Sequence, residues 1–158
     1  MDELSRILSS TKTARDRDRL INEIDLVSNA LYKEKELPEV LETQISETLW
    51  EYIGKAPDIT REIISEKLLR LKKALGELSV MTLTLAFDPA ESTINKLTSY
   101  VRKNLEEKII LEFKLEPNIL GGTILEFKGL YRDYTLRTKL EEVFKSKREE
   151  LFKRVNQF

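Results

Sequence analysis

The chain contains 158 residues, of which 41% are apolar and 35% are charged, and its formal net charge of −1 gives no overall attraction to nucleic acid or anionic lipid. It contains neither cysteine nor histidine, which excludes disulfides, thiolate metal sites and cysteine nucleophiles and removes the commonest general base. Carboxylates and lysines can still perform chemistry, so these absences lower the expectation of an enzyme without excluding one. We expect no metal or cofactor, and the length allows one sizeable domain or two small ones.

The sequence carries no evident membrane or targeting segment. No apolar run approaches the ~18 residues that a membrane-spanning helix needs. The first twenty residues include four acidic side chains and lack an apolar signal core, so we expect no signal or transit peptide. The default expectation is an intracellular protein.

The first 78 residues carry helical periodicity in successive stretches. A short helical turn is predicted over residues 1–10. Apolar residues at steps of four, three and four from Leu20 to Leu31 then predict an amphipathic helix that begins near Ala14. With the two helices that follow, this much apolar surface predicts an antiparallel helical bundle over residues 1–78.

Two further helices are predicted in this part of the chain. Pro38 suits the first turn of a helix and Gly54 suits its end, and an apolar stripe of helical spacing lies between them. Another helix has Asp58 or Thr60 as its N-cap and continues to Leu78.

At Ser79 the apolar period changes from helical to alternating, which predicts a domain boundary and a strand. A turn at Asp88–Glu91 leads into a helix, and residues 108–116 alternate again as a second strand. A hairpin and a long C-terminal helix complete the chain. The predicted fold class is α+β, with a helical bundle over 1–78 and a strand-helix-strand-hairpin-helix domain over 79–158.

Residues 116–140, EPNILGGTILEFKGLYRDYTLRTKL, combine several turn and cap signals. Gly121 and Gly122 lack the spaced glycines and the Lys-Ser/Thr of a nucleotide-binding loop, so a structural turn is favoured. A Lys-Gly pair ending at Gly129 is a two-residue gap of the kind that closes a hairpin. Asp133 or Thr135 then caps the C-terminal helix, and both interpretations are structural.

The charged clusters elsewhere in the sequence are typical of helix faces that are exposed to solvent. Adjacent carboxylate pairs diverge by ~100° on a helix and have lysines as neighbours, which argues against acid–base or metal chemistry. The last predicted helix ends in a basic segment that is interrupted by the acidic residues Glu149 and Glu150. We expect the basic side chains to face solvent or to contact an acidic partner helix. Nucleic-acid binding would need stronger basic clustering with exposed aromatics between the charges. The basic positions are Lys145, Lys147, Arg148, Lys153 and Arg154.

The sequence from Ser79 onward resembles the delta subunit family of bacterial F-type ATP synthase, whose mitochondrial counterpart is the oligomycin-sensitivity-conferring protein. In that family a second strand leads to Asp-Pro-x-Leu-Ile-Gly-Gly, a hairpin, an Asp-Gly-Ser-like step and a helix carrying Arg and Leu. Here Glu116 replaces the first Asp, Thr135 replaces Ser, and Tyr134 replaces the usual glycine. With the hairpin glycine, the predicted structural motif consists of Pro117, Gly121, Gly122, Gly129, Asp133, Thr135, Arg137 and Leu140.

The resemblance implies a peripheral-stalk (stator) subunit without catalytic residues, located in the cytoplasm at the inner face of a bacterial plasma membrane. The helical domain would grip N-terminal helices of the alpha subunits on the catalytic head. The C-terminal domain would hold the C-terminal helices of the b subunits. No nucleic acid and no direct membrane insertion would be involved. Candidate partner contacts are Leu41, Ile45, Leu49, Trp50, Phe144, Leu151, Phe152 and Val155.

Several alternatives stay open at the level of sequence. Trp50 has a core-capping interpretation as well as that of a partner anchor. The family's helical domain has about six helices, and the first 78 residues have room for about four. The E subunit of vacuolar and archaeal rotary ATPases also has Gly-Gly ahead of a helix start. An unrelated helical adaptor and an RNA-binding α+β protein are further alternatives.

Overall fold

The computed structural model describes residues 2–33, 37–54 and 60–155, with side chains up to residue 148. The described elements confirm the α+β class, because helices precede a small mixed sheet. No described helix is both long enough and apolar enough to cross a bilayer. In chain order the elements are α1 (Glu3–Ser10), α2 (Ala14–Ala30), α3 (Leu37–Thr43), α4 (Glu47–Ile53), α5 (Arg61–Gly76), β1 (Ser79–Leu85), α6 (Glu91–Asn104), β2 (Ile109–Leu115), β3 (Thr123–Phe127), β4 (Leu130–Asp133) and α7 (Leu136–Val155).

These elements form two compact units. Unit 1 consists of Met1–Ser79 and Asn95–Ile110, and unit 2 consists of Val80–Ile94 and Leu111–Phe158. The sequence-based division of domains after residue 78 stays a prediction.

In unit 1, the predicted helices around residues 14–30 and 61–76 are present, and their ends are capped. Thr13 and Asp16 form a capping box, in which the Thr13 hydroxyl accepts from the Asp16 amide at 3.1 Å and the Asp16 carboxylate accepts from the Thr13 amide at 3.0 Å. The hydroxyl of Thr60 accepts from the Ile63 amide at 3.5 Å, while Asp58 lies outside the described residues.

The core of unit 1 lies between α2 and α5, where each helix contributes an apolar stripe. Leu20, Ile24 and Val27 of α2 are buried, as are Leu68 and Leu75 of α5. Apolar burial of this kind is the main stabilising contribution, at about 25 cal/mol per Å² removed from water.

The prediction of a single helix between Pro38 and Gly54 is wrong. The structure contains two helices here, α3 and α4, with a break at residues 44–46. Ser46 is extended and caps α4, and its hydroxyl accepts from the Leu49 amide at 3.4 Å. The carboxylate of Glu23, buried on α2, accepts from the Ser46 amide at 3.0 Å and from its hydroxyl at 2.6 Å. This long-range contact satisfies the polar groups that the break exposes.

The described residues ahead of the first strand therefore contain five helices, where the sequence had room for about four. The predicted helix end at Gly54 is confirmed, because Gly54 directly follows α4 and has a φ of 104°.

Residues 95–110 belong to unit 1, and within that unit Arg102 of α6 binds backbone. Its guanidinium donates to the carbonyl oxygens of Ser9 at 2.8 Å, Thr11 at 2.5 Å and Ile109 at 3.0 Å. The side chain thereby ties the end of α1 to α6 and to the first residue of β2.

The sheet has the order β2-β1-β3-β4. β1 and β2 are parallel and joined through α6, with Ser79 donating to Lys108 at one end and Leu85 accepting from Glu116 at the other. β1 pairs with β3 antiparallel, with Leu83 opposite Leu125. The predicted strand-helix-strand-hairpin-helix order is confirmed.

Candidate partner-binding surfaces

The first turn of the motif follows β2 and contains Pro117. The amide of Ile119 donates to the Glu116 carbonyl at 3.1 Å, which closes a turn with Pro117 at its second position. The Glu116 carboxylate also accepts from the backbone and side-chain nitrogens of Asn118, at 3.2 and 2.9 Å. The acidic residue at position 116 thus stabilises the turn by local hydrogen bonds.

Gly121 and Gly122 adopt φ values of 98° and 87°, which favour glycine. A Cβ added to Gly122 would lie 2.3 Å from the carbonyl oxygen of Tyr134 and 2.8 Å from Cα of Thr135. The Gly121 carbonyl accepts from the Leu136 amide at 3.0 Å. The glycine pair therefore seats the start of α7 against the preceding loop, and we call residues 121–122 with 133–138 the Gly-Gly joint.

Both cap candidates act together at the start of α7. The Asp133 carboxylate accepts from the Thr135 amide and from the Thr138 hydroxyl, each at 2.8 Å. The Thr135 hydroxyl, which is buried, accepts from the Thr138 amide at 3.4 Å. Hydrogen bonds from Thr135, and then from Thr138, hold the pKa of Asp133 below its ordinary value because they favour the charged carboxylate.

The remaining motif residues lie in the hairpin and on the surface of α7. Lys128 and Gly129 have φ values of 47° and 78°, and Phe127 pairs with Leu130, so the loop is a two-residue turn with both φ angles positive. The Arg137 guanidinium lies 3.1 Å from the Glu141 carboxylate, and both side chains are exposed. Leu140 is 43% exposed on the same helix.

One face of α7 presents large apolar side chains to solvent. They lie at helical spacing and range from 43% to 68% exposed. Arg137, Lys139, Lys145, Lys147 and Arg148 make the described part of this helix basic. We call Leu136, Leu140, Val143 and Phe144 the α7 ridge.

Phe144, a predicted partner contact, is the most exposed member of the ridge at 68%. Leu151, Phe152 and Val155 fall within the helix, but their side chains lie outside the described residues.

An open groove of about 380 Å³ lies where α3 and α4 meet, and we call it the α3–α4 groove. Three predicted partner contacts, Leu41, Ile45 and Trp50, line it together with Glu42 and Glu47. Leu49, the fourth candidate in this part of the chain, is 0% exposed and belongs to the core of unit 1. The break between the two helices therefore brings three of these residues together and turns Leu49 inward.

Sequence reasoning missed the two glutamates of the groove because it placed them on one continuous helix. A signal was present in Ser46 followed by Glu47, since a hydroxyl N-cap followed by an acidic residue is typical of a helix start. The described range 37–54 contains four acidic residues and no lysine or arginine: Glu39, Glu42, Glu47 and Glu51.

The described part of the chain contains no group of three or more acidic, histidine or cysteine residues that could hold a metal ion. The surfaces that remain as candidates are the groove and the ridge. Both surfaces expose apolar side chains. The groove is acidic, whereas the helix that carries the ridge is basic.

Comparison with known proteins identifies one family. The family model described as ATP synthase delta (OSCP) subunit matches residues 2–146. A protein named ATP synthase subunit delta from Aquifex aeolicus is 28% identical over 130 residues, covering 81% of this chain and 66% of the relative. The chain therefore spans about two thirds of that protein's length.

Further relatives carry the same name. The one from Anaeromyxobacter dehalogenans is 24% identical and covers 91% of this chain and 75% of its own length. The one from Rickettsia bellii is 21% identical, with 89% and 86% covered. A chain in the cryo-EM structure of the Toxoplasma gondii mitochondrial ATP synthase hexamer aligns over 91% of this chain and 94% of its own, at 12% identity and a TM-score of 0.37.

Proposed function

The chain belongs to the ATP synthase delta (OSCP) subunit family, and on that premise we propose that it is a peripheral-stalk subunit of a rotary F-type ATP synthase. In this role it links the catalytic head to the stalk and resists the torque of the rotor. The observation that carries the proposal is the family match over residues 2–146, which spans both units. The work is mechanical and needs no catalytic residue of its own.

Unit 1 is proposed to bind N-terminal helices of the alpha subunits on the head. The α3–α4 groove supports this assignment because it is concave and is lined in part by partly exposed apolar side chains. Leu41, Ile45 and Trp50 supply contact area, and tryptophan is enriched among residues that dominate binding energy. Leu49 supports them from within the core.

Unit 2 is proposed to hold the C-terminal helices of the b subunits through the α7 ridge. Four large apolar side chains at helical spacing are suited to the seam of a helix pair, in which one helix lies against another. Burying a Phe or Leu fully contributes roughly 1.5–3 kcal/mol, so a few such residues suffice for a durable contact. The Gly-Gly joint fixes the base of this helix so that load passes into the sheet.

With these two proposed contacts, the protein would work at the cytoplasmic side of a bacterial plasma membrane, as a peripheral member of the complex. Neither surface resembles a lipid-inserting segment, because the ridge is short and lies on a helix that also carries acidic residues.

The proposal is tested by pull-down of the full chain with the alpha N-terminal segment and the b C-terminal segment of the same organism. We expect each segment to be retained at micromolar concentration. Phe144→Ala is expected to weaken the b contact by roughly ten- to a hundredfold, which is the loss of one buried aromatic, and to leave the alpha contact unchanged.

Tyr100→Ala is the matched control, because Tyr100 is also 68% exposed but lies on α6. This variant is expected to change neither contact by more than about twofold. Retention of neither segment at micromolar concentration contradicts the stator proposal.

A further inference from the structure

The α3–α4 groove is lined by apolar and by acidic side chains. We call its partly exposed apolar residues, Leu41, Ile45 and Trp50, the floor, and its exposed residues, Glu42 and Glu47, the rim.

The negative charge of this region is not neutralised within the described residues. Glu39 and Glu51 add to the two rim carboxylates, no lysine or arginine lies in the range 37–54, and none of the four carboxylates forms an ion pair in the described part of the chain. By contrast, Glu23, the buried carboxylate below the break, accepts hydrogen bonds from Ser46 and lies 3.8 Å from Arg19.

We propose that the α3–α4 groove binds a short amphipathic helix whose apolar stripe is flanked by lysine or arginine, with Glu42 and Glu47 as the specificity-determining residues. The apolar stripe fills the floor, and the cationic side chains meet the rim. Lysine and arginine suit this position because their aliphatic stems cover apolar surface while their charged ends reach the carboxylates.

The charge pattern also decides against other occupants. Four exposed carboxylates repel the phosphates of nucleic acid and of anionic lipid, and they repel an acidic helix. Electrostatic complementarity of this kind contributes mainly to specificity and to the association rate, whereas the apolar contacts contribute most of the affinity.

The inference rests on the proposed function only for the natural source of the helix, a subunit of the catalytic head. Beyond the proposed function, it states that the bound helix is basic. It also states that Glu42 and Glu47 select this charge.

Trp50 provides a direct measurement, because it is the one tryptophan of the sequence and lines the groove. The full chain is titrated with a designed peptide of about 18 residues, long enough to form a helix, with leucines at helical spacing and lysines beside them. A second peptide carries glutamate in place of every lysine. We expect saturable binding of the lysine peptide with a blue shift of the Trp50 emission, and binding at least about tenfold weaker for the glutamate peptide.

Two double variants distinguish the effect of the rim carboxylates on peptide binding from the effect of the other carboxylates on α3 and α4. Glu42→Gln with Glu47→Gln is expected to weaken binding of the lysine peptide by roughly three- to tenfold and to reduce its dependence on salt. Glu39→Gln with Glu51→Gln, on the same two helices but outside the groove lining, is expected to change it by less than about twofold. All four side chains are exposed, so circular dichroism and thermal melting are expected to match the parent protein.

Equal affinity for the two peptides overturns the inference, and so does an equal effect of the two double variants. A chain that ignores the lysine peptide but is retained by the alpha and b segments overturns the groove inference and leaves the stator function standing. A chain that binds the lysine peptide through the rim but is retained by neither segment supports the groove and contradicts the stator function.

Discussion

The α3–α4 groove and the α7 ridge are opposite in form and in charge. The groove is concave and acidic and exists because a helix is interrupted, whereas the ridge is convex and basic and lies on a helix of 20 residues. Each depends on a small anchor beneath it. The groove relies on the bond between Glu23 and Ser46, and the ridge relies on the Gly-Gly joint.

The difference between the anchors is one of range. In the Gly-Gly joint the cap bonds of Asp133 span two to five positions and the bond from the Leu136 amide to the Gly121 carbonyl spans 15, and its geometry is imposed by backbone conformation. The groove anchor joins residues 23 positions apart, and its geometry is imposed by a buried carboxylate. A local anchor can be found from the sequence, while a distant one depends on packing. The two anchors should therefore respond differently to substitution.

The largest expected effect is at the local anchor. Gly122→Ala places a Cβ 2.3 Å from the Tyr134 carbonyl oxygen at a φ of 87°, so backbone must move. We expect a loss of about 3 kcal/mol or more in the free energy of unfolding, measured by urea denaturation. Gly121→Ala is the matched control, because its φ of 98° carries strain but its Cβ would meet open space. Its expected loss is about 1–2 kcal/mol, and an equal loss for the two variants would contradict the close-contact account.

A smaller effect is expected at the distant anchor. Glu23→Ala removes the acceptor for the Ser46 amide and hydroxyl, and the expected cost is about 1–3 kcal/mol for partly buried donors left unpaired. Because the break between α3 and α4 loses its support, the emission of Trp50 should shift to longer wavelength.

Asp25→Ala on the same helix is the control for Glu23→Ala, since it removes only a surface ion pair with Lys72. This variant should cost at most about 1 kcal/mol and leave the Trp50 emission in place. An unshifted spectrum in Glu23→Ala would show that the groove does not depend on this carboxylate.

The smallest effect concerns the charge of Asp133 in the Gly-Gly joint. Its pKa in the folded protein lies below its ordinary value because of the hydrogen bonds from Thr135 and Thr138. The stability it provides is therefore present above the ordinary carboxyl value of about 3.9 and is lost as the pH falls through the lower folded pKa. We expect Asp133→Asn to flatten the decline in melting temperature below about pH 4, compared with the parent protein. Parallel declines in the two proteins would assign the acid sensitivity to other carboxylates.

The family match also separates the alternatives that the sequence had left open. A model for the delta (OSCP) subunit matches residues 2–146, which favours the delta resemblance over the E subunit of vacuolar and archaeal ATPases. The motif around Gly121 and Gly122, which carried the resemblance, is built as a joint between loop and helix rather than as a ligand loop.

The sequence by itself determined the features that follow from local chemistry. The strand at β1, the two-residue hairpin turn at Lys128 and Gly129, and the capping of α7 by Asp133 are all properties of short segments. Backbone sterics and neighbouring hydrogen bonds act within a few residues, so composition and spacing suffice to predict them.

Only the tertiary structure decided which residues line the α3–α4 groove. The apolar stripe from Leu41 to Ile53 fits a continuous helix, yet the chain breaks at Ser46 because Glu23 of another helix satisfies the polar groups that the break exposes. The same packing buries Leu49 and leaves Trp50 in the groove. Which apolar residue faces the core and which stays exposed depends on contacts between distant segments, and these are absent from any one stretch of sequence.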